Sequence, residues 1–187
     1  GYRGGGIRDY FSRREFTRSG WEVEFLDTGV DASIGERFAA ARESIDEDVF
    51  LTSYGDTLTD ADLPSLIRTR DESGKLGSLL AVPPNYTFNV VASGEDDVVT
   101  GFHDVTDSPL WINGGFFVFD RRVFDYVQEG DDMPQILGRL IEDRQLLAIK
   151  YDGFWSPMDT LKDRERLEGL VRDGRSIWQV WAPARAC

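Results

Sequence analysis

The feature that most constrains the fold is an alternation of short apolar runs with segments of helical periodicity. The runs DVFLTSY (48–54) and LGSLLAV (76–82) lack polar–apolar alternation, as expected of strands that are covered on both faces. Between them lies DLPSLIRTRDESG (62–74), in which an acidic residue before Pro64 and a final Gly74 are typical helix start and stop signals. Strands that alternate with helices predict an α/β sheet.

The remaining segments extend this pattern. WEVEFLDTG (21–29) alternates between apolar and polar residues at its start and predicts a further strand. Short strands around a turn at Gly94 are expected in the stretch 83–105. The other expected elements are helices at 7–14, 35–45, 133–145 and 160–174 and an aromatic, apolar strand at 110–120.

Composition bounds the class of protein. The chain has 187 residues without an internal repeat or a low-complexity linker, which predicts one domain over residues 1–187. Its 34 acidic and 21 basic residues give a net charge of −13, and such a surface repels nucleic acid and anionic membranes. No run approaches the ~18 apolar residues of a membrane span. The single cysteine, Cys187, fits a reducing cytoplasm. We therefore expect a cytoplasmic protein with neither nucleic-acid nor membrane partners, and a homo-oligomer stays open.

The stretch YGDTLTD (54–60) directly follows a predicted strand and allows two interpretations. Glycine and aspartate are common turn residues, so an ordinary turn is the first of them. In the second, Gly55 lets a phosphate approach the backbone and Asp56 holds a metal. Asp159 also follows an apolar segment, 103 residues further along the chain (159 minus 56). Because open α/β sheets bind ligands outside the carboxyl ends of their strands, the two loops are able to converge on one metal, and Mg²⁺ takes one or two carboxylates plus phosphates; for Asp159, too, an ordinary turn is the other interpretation.

Four stretches carry a resemblance to a known family: DTGVDASIGER (27–37), YGDTLTD (54–60), WINGGFFVFD (111–120) and GFWSPMDTLKD (153–163). In their order and approximate spacing the chain resembles the sugar-nucleotide pyrophosphorylases, and most closely the glucose-1-phosphate cytidylyltransferases. The resemblance extends over nearly the whole chain. It implies a Rossmann-like mixed sheet flanked by helices, of the nucleotide-diphospho-sugar transferase type, in which the N-terminal strand is missing.

The resemblance also implies an activity. Enzymes of this group convert CTP and glucose 1-phosphate into CDP-glucose and pyrophosphate, with Mg²⁺ as cofactor. The product serves deoxysugar or surface-polysaccharide biosynthesis. Within the same class the alternative is a thymidylyl- or uridylyltransferase that acts on a sugar 1-phosphate, since the choice of base rests partly on the missing segment.

Residue roles follow from the same resemblance. It assigns catalysis to Arg37, Asp56 and Asp159, of which the two aspartates are the metal ligands. From the residues alone, Arg37 is also interpretable as a solvated arginine on a helix surface, and Gly114 as a bend in a strand. The positions that the resemblance places against nucleotide or sugar are Thr28, Gly29, Gly35, Arg37, Tyr54, Gly55, Asn113 and Gly114.

Three departures from the family pattern affect this interpretation. Nothing in the 187 residues corresponds to the family's glycine-rich loop or to its first strand. His103, Asp104 and Val105 stand where the family carries Glu-Lys-Pro, and Glu36 replaces a glycine beside Arg37. Because nucleotidyl transfer depends on positioning and charge stabilisation, we expect negligible turnover by these 187 residues alone. The chain is then a fragment, a degenerate relative or an inactive paralogue, and a non-catalytic sugar-nucleotide-binding or regulatory module is the alternative function.

Overall fold

The structure is a computed structural model that describes residues 3–13, 21–85 and 88–181. It divides the chain into two compact units. The first unit comprises Gly1–Phe50 and Asp120–Gln145, and the second comprises Leu51–Phe119 and Leu146–Cys187. Cys187 itself lies outside the described residues. The single domain that the sequence predicts over residues 1–187 stays a prediction.

Helices and strands alternate along the described residues, as the sequence predicts. The helices are α1 (Gly4–Phe11), α2 (Ile34–Ala40), α3 (Leu63–Ser73), α4 (Met133–Glu142) and α5 (Leu161–Arg172), with short 3-10 helices at Ala41–Ser44, Val105–Asp107 and Arg121–Tyr126. The strands are β1 (Val49–Ser53), β2 (Thr57–Thr59), β3 (Gly77–Val82), β4 (Asn89–Ser93), β5 (Val99–Asp104), β6 (Ile112–Asp120), β7 (Leu146–Lys150) and β8 (Trp155–Pro157).

A mixed sheet of four strands, in the order β1-β6-β3-β7, organises the second unit. The central strand β3 pairs antiparallel with β6 and parallel with β7. Its consecutive residues Leu80 and Ala81, which project to opposite faces, are only 1% and 4% exposed, so this strand is covered on both faces as predicted. Helix α3 contacts β3 and β7 and ends at Gly74, which has a left-handed φ of 65°. The predicted mixed sheet with flanking helices is confirmed.

An aromatic cluster forms the core of the first unit. The Phe124 ring stacks on Phe38 of α2 at 4.9 Å between centroids and on Phe50 at 5.6 Å. Helix α4 buries Ile136 and Leu140 completely. Its N-terminus is fixed by a reciprocal capping box between Asp132 and Gln135.

Two strand predictions are wrong in part. Residues 21–29 form no regular secondary structure, and Trp21 is 62% exposed. A strand needs a neighbouring strand to bond with, and no described strand pairs with this segment. Strand β1 is not covered on both faces, since Leu51 is exposed while Phe50 is buried. The predicted helix at 7–14 is shifted toward the glycines, because α1 already begins at Gly4.

No helix in the described ranges is long and apolar enough to cross a membrane.

Candidate active site

The corner after β1 is built by two very short strands. Strand β2 pairs antiparallel with β8, with Thr57 opposite Pro157. One step further, the Met158 N–H donates to the Asp56 carbonyl at 2.8 Å. Asp159 is the next residue after Met158, so the structure brings together the two aspartates that the sequence predicts as metal ligands.

The side chains of this corner are suited to a hard cation. Asp56 and Asp159 are both exposed, and neither carboxylate hydrogen-bonds or ion-pairs with a residue in the described part of the chain. Gly55 lies between strand and corner with a φ of +83°, a conformation that a side chain would strain. No group of three or more potential ligands occurs among the described residues. Two free carboxylates therefore fit Mg²⁺, which completes its shell with water and phosphate oxygens.

Beside the corner, the INGG segment of β6 is tied to Tyr54. Asn113 Nδ2 donates to the Tyr54 hydroxyl at 3.1 Å, and its Oδ1 accepts from the Gly115 N–H at 2.9 Å. Gly115 has a φ of +75°, which bends the strand. A Cβ on Gly114 would lie 3.0 Å from the Leu80 carbonyl oxygen, a tight contact with backbone, so the packing of the strands favours a glycine there. The predicted substrate residues Tyr54, Asn113 and Gly114 are thus brought together, and Gly114 has a packing reason of its own.

Asp60 is a residue of this region that the sequence interpretation does not assign. Its Oδ1 accepts hydrogen bonds from the Tyr151 hydroxyl and from the Phe154 N–H, the latter at 2.9 Å. Burial, followed by the hydrogen bond to Asp60, raises the pKa of Tyr151 to about 12. Asp60 thereby holds the turn that leads into β8 and Asp159. The only signal in the sequence is its place four residues after Asp56.

In the first unit, Arg37 is bound by the loop that precedes its helix. Its Nε donates to the Ala32 carbonyl at 3.1 Å, its Nη1 to the Thr28 hydroxyl at 3.0 Å and its Nη2 to the Val30 carbonyl at 3.2 Å. The interpretation of Arg37 as a solvated surface arginine is therefore wrong. Gly29 turns the same loop with a φ of +81°. The structure brings the predicted residues Thr28, Gly29 and Arg37 together.

Gly35 and Glu36 both have structural roles at the start of α2. The Gly35 N–H donates to Asp132 Oδ1 at 3.0 Å, and a Cβ on Gly35 would lie only 2.7 Å from the Asp132 Cα. Glu36 forms a capping box with Ser33, whose N–H donates to Glu36 Oε2 at 2.7 Å. The Glu36 carboxylate, which replaces a glycine of the family pattern beside Arg37, is thus bonded to the first turn of its own helix.

Two cavities of the first unit adjoin the predicted nucleotide-side residues. One has a volume of about 770 Å³ and is lined by Arg8, Asp27 and Arg37 among others. The other, of about 490 Å³, is lined by Thr28, Gly29 and neighbouring residues. The Gly29 N–H bonded to the Asp27 carboxylate lowers the pKa of Asp27. The two arginines of the first cavity are accompanied by two acidic residues, Glu24 and Asp27, so its lining carries charges of both signs.

Comparison with solved structures identifies the fold class. A crystal structure of a protein assigned as glucose-1-phosphate thymidylyltransferase from Bacillus anthracis, in complex with sucrose, matches with a TM-score of 0.67. The match covers 90% of this chain and 72% of that chain at 14% sequence identity. The fold is therefore that of the nucleotide-diphospho-sugar transferases.

Sequence comparison identifies the family. A protein assigned as glucose-1-phosphate cytidylyltransferase from Bacillus subtilis (strain 168) is 30% identical, over 97% of this chain and 79% of its own length. The glucose-1-phosphate cytidylyltransferase of Salmonella typhimurium is 32% identical, over 86% of this chain and 64% of its own length. A mannose-1-phosphate guanylyltransferase of Mycobacterium tuberculosis is 25% identical over 89% of this chain and 47% of its own length. No protein-family model matches. The chain belongs to the family of sugar-1-phosphate nucleotidyltransferases, enzymes that include these glucose-1-phosphate cytidylyltransferases.

Proposed function

We propose that the chain serves the reaction of CTP with glucose 1-phosphate that gives CDP-glucose and pyrophosphate. The relatives assigned as glucose-1-phosphate cytidylyltransferases, at 30% and 32% identity, support cytidine as the base. The guanylyltransferase relative supports only the class of reaction. In this reaction an oxygen of the sugar phosphate attacks the α-phosphorus of CTP and pyrophosphate leaves. The attacking oxygen is already ionised, so no side chain has to remove a proton.

The observation that carries the proposal is the pairing of β2 with β8, which sets Asp56 and Asp159 at one corner. These carboxylates would hold Mg²⁺, which when bound neutralises charge on the phosphates. Asn113 and the Tyr54 hydroxyl would orient the sugar. A hydrogen bond joins the two side chains, so little side-chain freedom is lost when a ligand binds.

The nucleotide side is assigned to Thr28, Gly29 and Arg37. Three of the five N–H groups of the Arg37 guanidinium are used by the loop, which leaves two for a phosphate. Gly35 would act indirectly, since its close contact with Asp132 fixes the helix that carries Arg37.

A second candidate is a non-catalytic sugar-nucleotide-binding module. It is favoured by the engagement of Arg37 with its own loop and by His103, which hydrogen-bonds Ser108 at 3.0 Å in the segment where the family carries its lysine. Pyrophosphate release from CTP and glucose 1-phosphate by this chain would exclude the module. Binding of CDP-glucose without release is expected of the module and equally of a fragment of the enzyme, so it does not separate the two.

The proposal is tested by calorimetry with CDP-glucose in the presence and absence of Mg²⁺. We expect Mg²⁺ to strengthen binding, and Asp159→Asn to remove that gain while the fold stays intact. Asp152→Asn, which changes an exposed aspartate in the loop before β8, is the control. If Asp159→Asn binds CDP-glucose as the parent does, Asp159 is a turn residue and the proposal fails. Parallel titrations with UDP-glucose, TDP-glucose and GDP-glucose test the base.

A further inference from the structure

A row of paired residues crosses the sheet of the second unit. Lys150 at the end of β7 is the register partner of Ala81 in β3, and Ala81 is the partner of Asn113 in β6. Residues directly opposite one another in a sheet project to the same face. Lys150 and Asn113 therefore share a face, with their Cα atoms two strand spacings or about 10 Å apart.

Trp111 supports this placement independently. It lies two residues before Asn113 and directly precedes β6. The Lys150 Nζ lies 5.0 Å from the centre of the Trp111 ring, as it must if both side chains project to one side of the sheet. Ala81 between Lys150 and Asn113 has only a methyl group and is itself only 4% exposed.

The Lys150 ammonium has an aromatic contact but no acidic partner. Lys150 is exposed, and no carboxylate in the described ranges lies within ion-pair distance of it. In a chain with 34 acidic and 21 basic residues, a lysine without a carboxylate partner is available for another anion. The Trp111 ring holds the side chain in place without neutralising its charge, so the ammonium keeps its three donors.

On the other side of Asn113 the row continues to the Tyr54 hydroxyl, two residues before Asp56. The face thus offers an ammonium, an amide and a phenol, groups that suit a phosphate and sugar hydroxyls. We propose that Lys150 binds the phosphate of the sugar 1-phosphate whose sugar is held at Asn113. This inference rests on the proposed function. It gives the sugar-phosphate site a cation, which the segment 103–105 does not provide.

The test compares Lys150→Met with the parent in titrations of glucose 1-phosphate, glucose and inorganic phosphate. We expect Lys150→Met to weaken glucose 1-phosphate binding by about tenfold, the cost of one charge-assisted hydrogen bond at an exposed site, and to leave glucose binding unchanged. Lys150→Arg should recover part of the loss. The control is Lys75→Met, because Lys75 lies before the opposite end of β3 and should not affect any of these ligands.

The chain has three lysines, so ¹³C-methylated lysine side chains give a spectrum in which each can be followed. Addition of glucose 1-phosphate should shift the Lys150 signal and leave that of Lys75 in place. Equal losses for glucose and glucose 1-phosphate would mean that Lys150 binds hydroxyl groups, and would overturn the inference. The inference would also be overturned if inorganic phosphate bound as tightly as glucose 1-phosphate, or if the parent chain bound no glucose 1-phosphate.

The two proposals fail separately. If the Mg²⁺-dependent gain in CDP-glucose binding depends on Asp159 while Lys150→Met changes no titration, the inference about Lys150 is wrong and the proposed function stands. If glucose 1-phosphate binds in a Lys150-dependent way but no nucleotide sugar binds, the assignment of Lys150 stands and the proposed function is wrong.

Discussion

The loop at residues 28–37 in the first unit and the corner around Asp56 and Asp159 in the second both carry motifs of the family, yet their polar groups are used differently. In the loop, Arg37 donates from all three guanidinium nitrogens to loop oxygens, and Glu36 caps its own helix. At the corner both carboxylates are exposed and bond to no described residue. A motif can therefore mark groups that build the fold as well as groups that meet a ligand.

The difference has an energetic meaning. A polar group that is already bonded within the protein contributes to stability, and a ligand gains only what remains of its bonding capacity. A free carboxylate contributes almost nothing to stability and has its full capacity for a cation. Substitutions in the first unit should therefore change the free energy of unfolding, whereas substitutions at the corner should change ligand binding.

The largest effect is expected at Gly35. Gly35→Ala places a Cβ 2.7 Å from the Asp132 Cα, and because the obstacle is backbone it cannot move aside cheaply. We expect a loss of about 3 kcal/mol in the free energy of unfolding. Gly138→Ala is the control, because nothing lies within 4 Å of its new Cβ inside α4. That change should stabilise the protein by roughly 0.5–1 kcal/mol. Urea unfolding measures both, and a Gly35→Ala chain as stable as the parent would show that the contact relaxes.

A smaller effect is expected from acid, through Asp131. Its two carboxylate oxygens accept from Arg139 at 2.6 and 2.7 Å, and this guanidinium holds the pKa of Asp131 at about 2, below its usual 3.8. Since the folded pKa is the lower one, the contribution to stability is complete above about pH 4 and is lost as the pH falls toward 2.

The Asp131→Asn variant should therefore have a lower free energy of unfolding than the parent at pH 6. This difference in the free energy of unfolding should become smaller as the pH falls from 4 to 2. Urea midpoints across this range measure the gap, with Asp56→Asn as the control in which no narrowing is expected. A gap that is constant from pH 6 to pH 2 would contradict the assigned role of the ion pair.

The smallest effect on stability is expected at the corner itself. Asp56→Asn removes a charge that no described residue compensates, so the free energy of unfolding should stay within about 0.5 kcal/mol of the parent value. The same variant should lose the gain in CDP-glucose binding that Mg²⁺ provides. A large loss of stability would mean that Asp56 has a structural role, as Gly35 and Glu36 have in the first unit. The difference between the loop at residues 28–37 and the corner would then disappear.

The elements that could be predicted from the sequence are those with local signals. Helix α3 has a proline in its first turn and a left-handed Gly74 at its end, and the hairpin β4–β5 surrounds the Gly94 turn. Strand β7 is not anticipated, because its half-buried and exposed positions give no distinctive pattern. The segment 21–29 has the right alternation, but a strand also needs a bonding neighbour, which no local pattern shows.

For the site, the motifs predict which residues come together but not what holds them. The convergence of Asp56 with Asp159 is predicted, while the function of Asp60 depends on contacts with residues 91 and 94 positions away. The packing of Gly35 against Asp132 likewise spans 97 positions. Such roles depend on the tertiary structure, so a resemblance that assigns Gly35 to the substrate cannot separate it from a residue that supports the site.

The pairing of β2 with β8 also bears on the order in which the chain folds. It joins segments about a hundred residues apart, whereas the hairpin β4–β5 closes over a short turn. Closing a long loop costs entropy that only the completed ladder of three residue pairs can offset, so this contact should belong to the late steps of folding. In pulsed hydrogen exchange during refolding, the Met158 amide should become protected after the amides of the hairpin. Protection of Met158 before the hairpin would contradict this order. Until that late step, a refolding chain carries the two aspartates on separate loops and has no paired carboxylates to offer a cation.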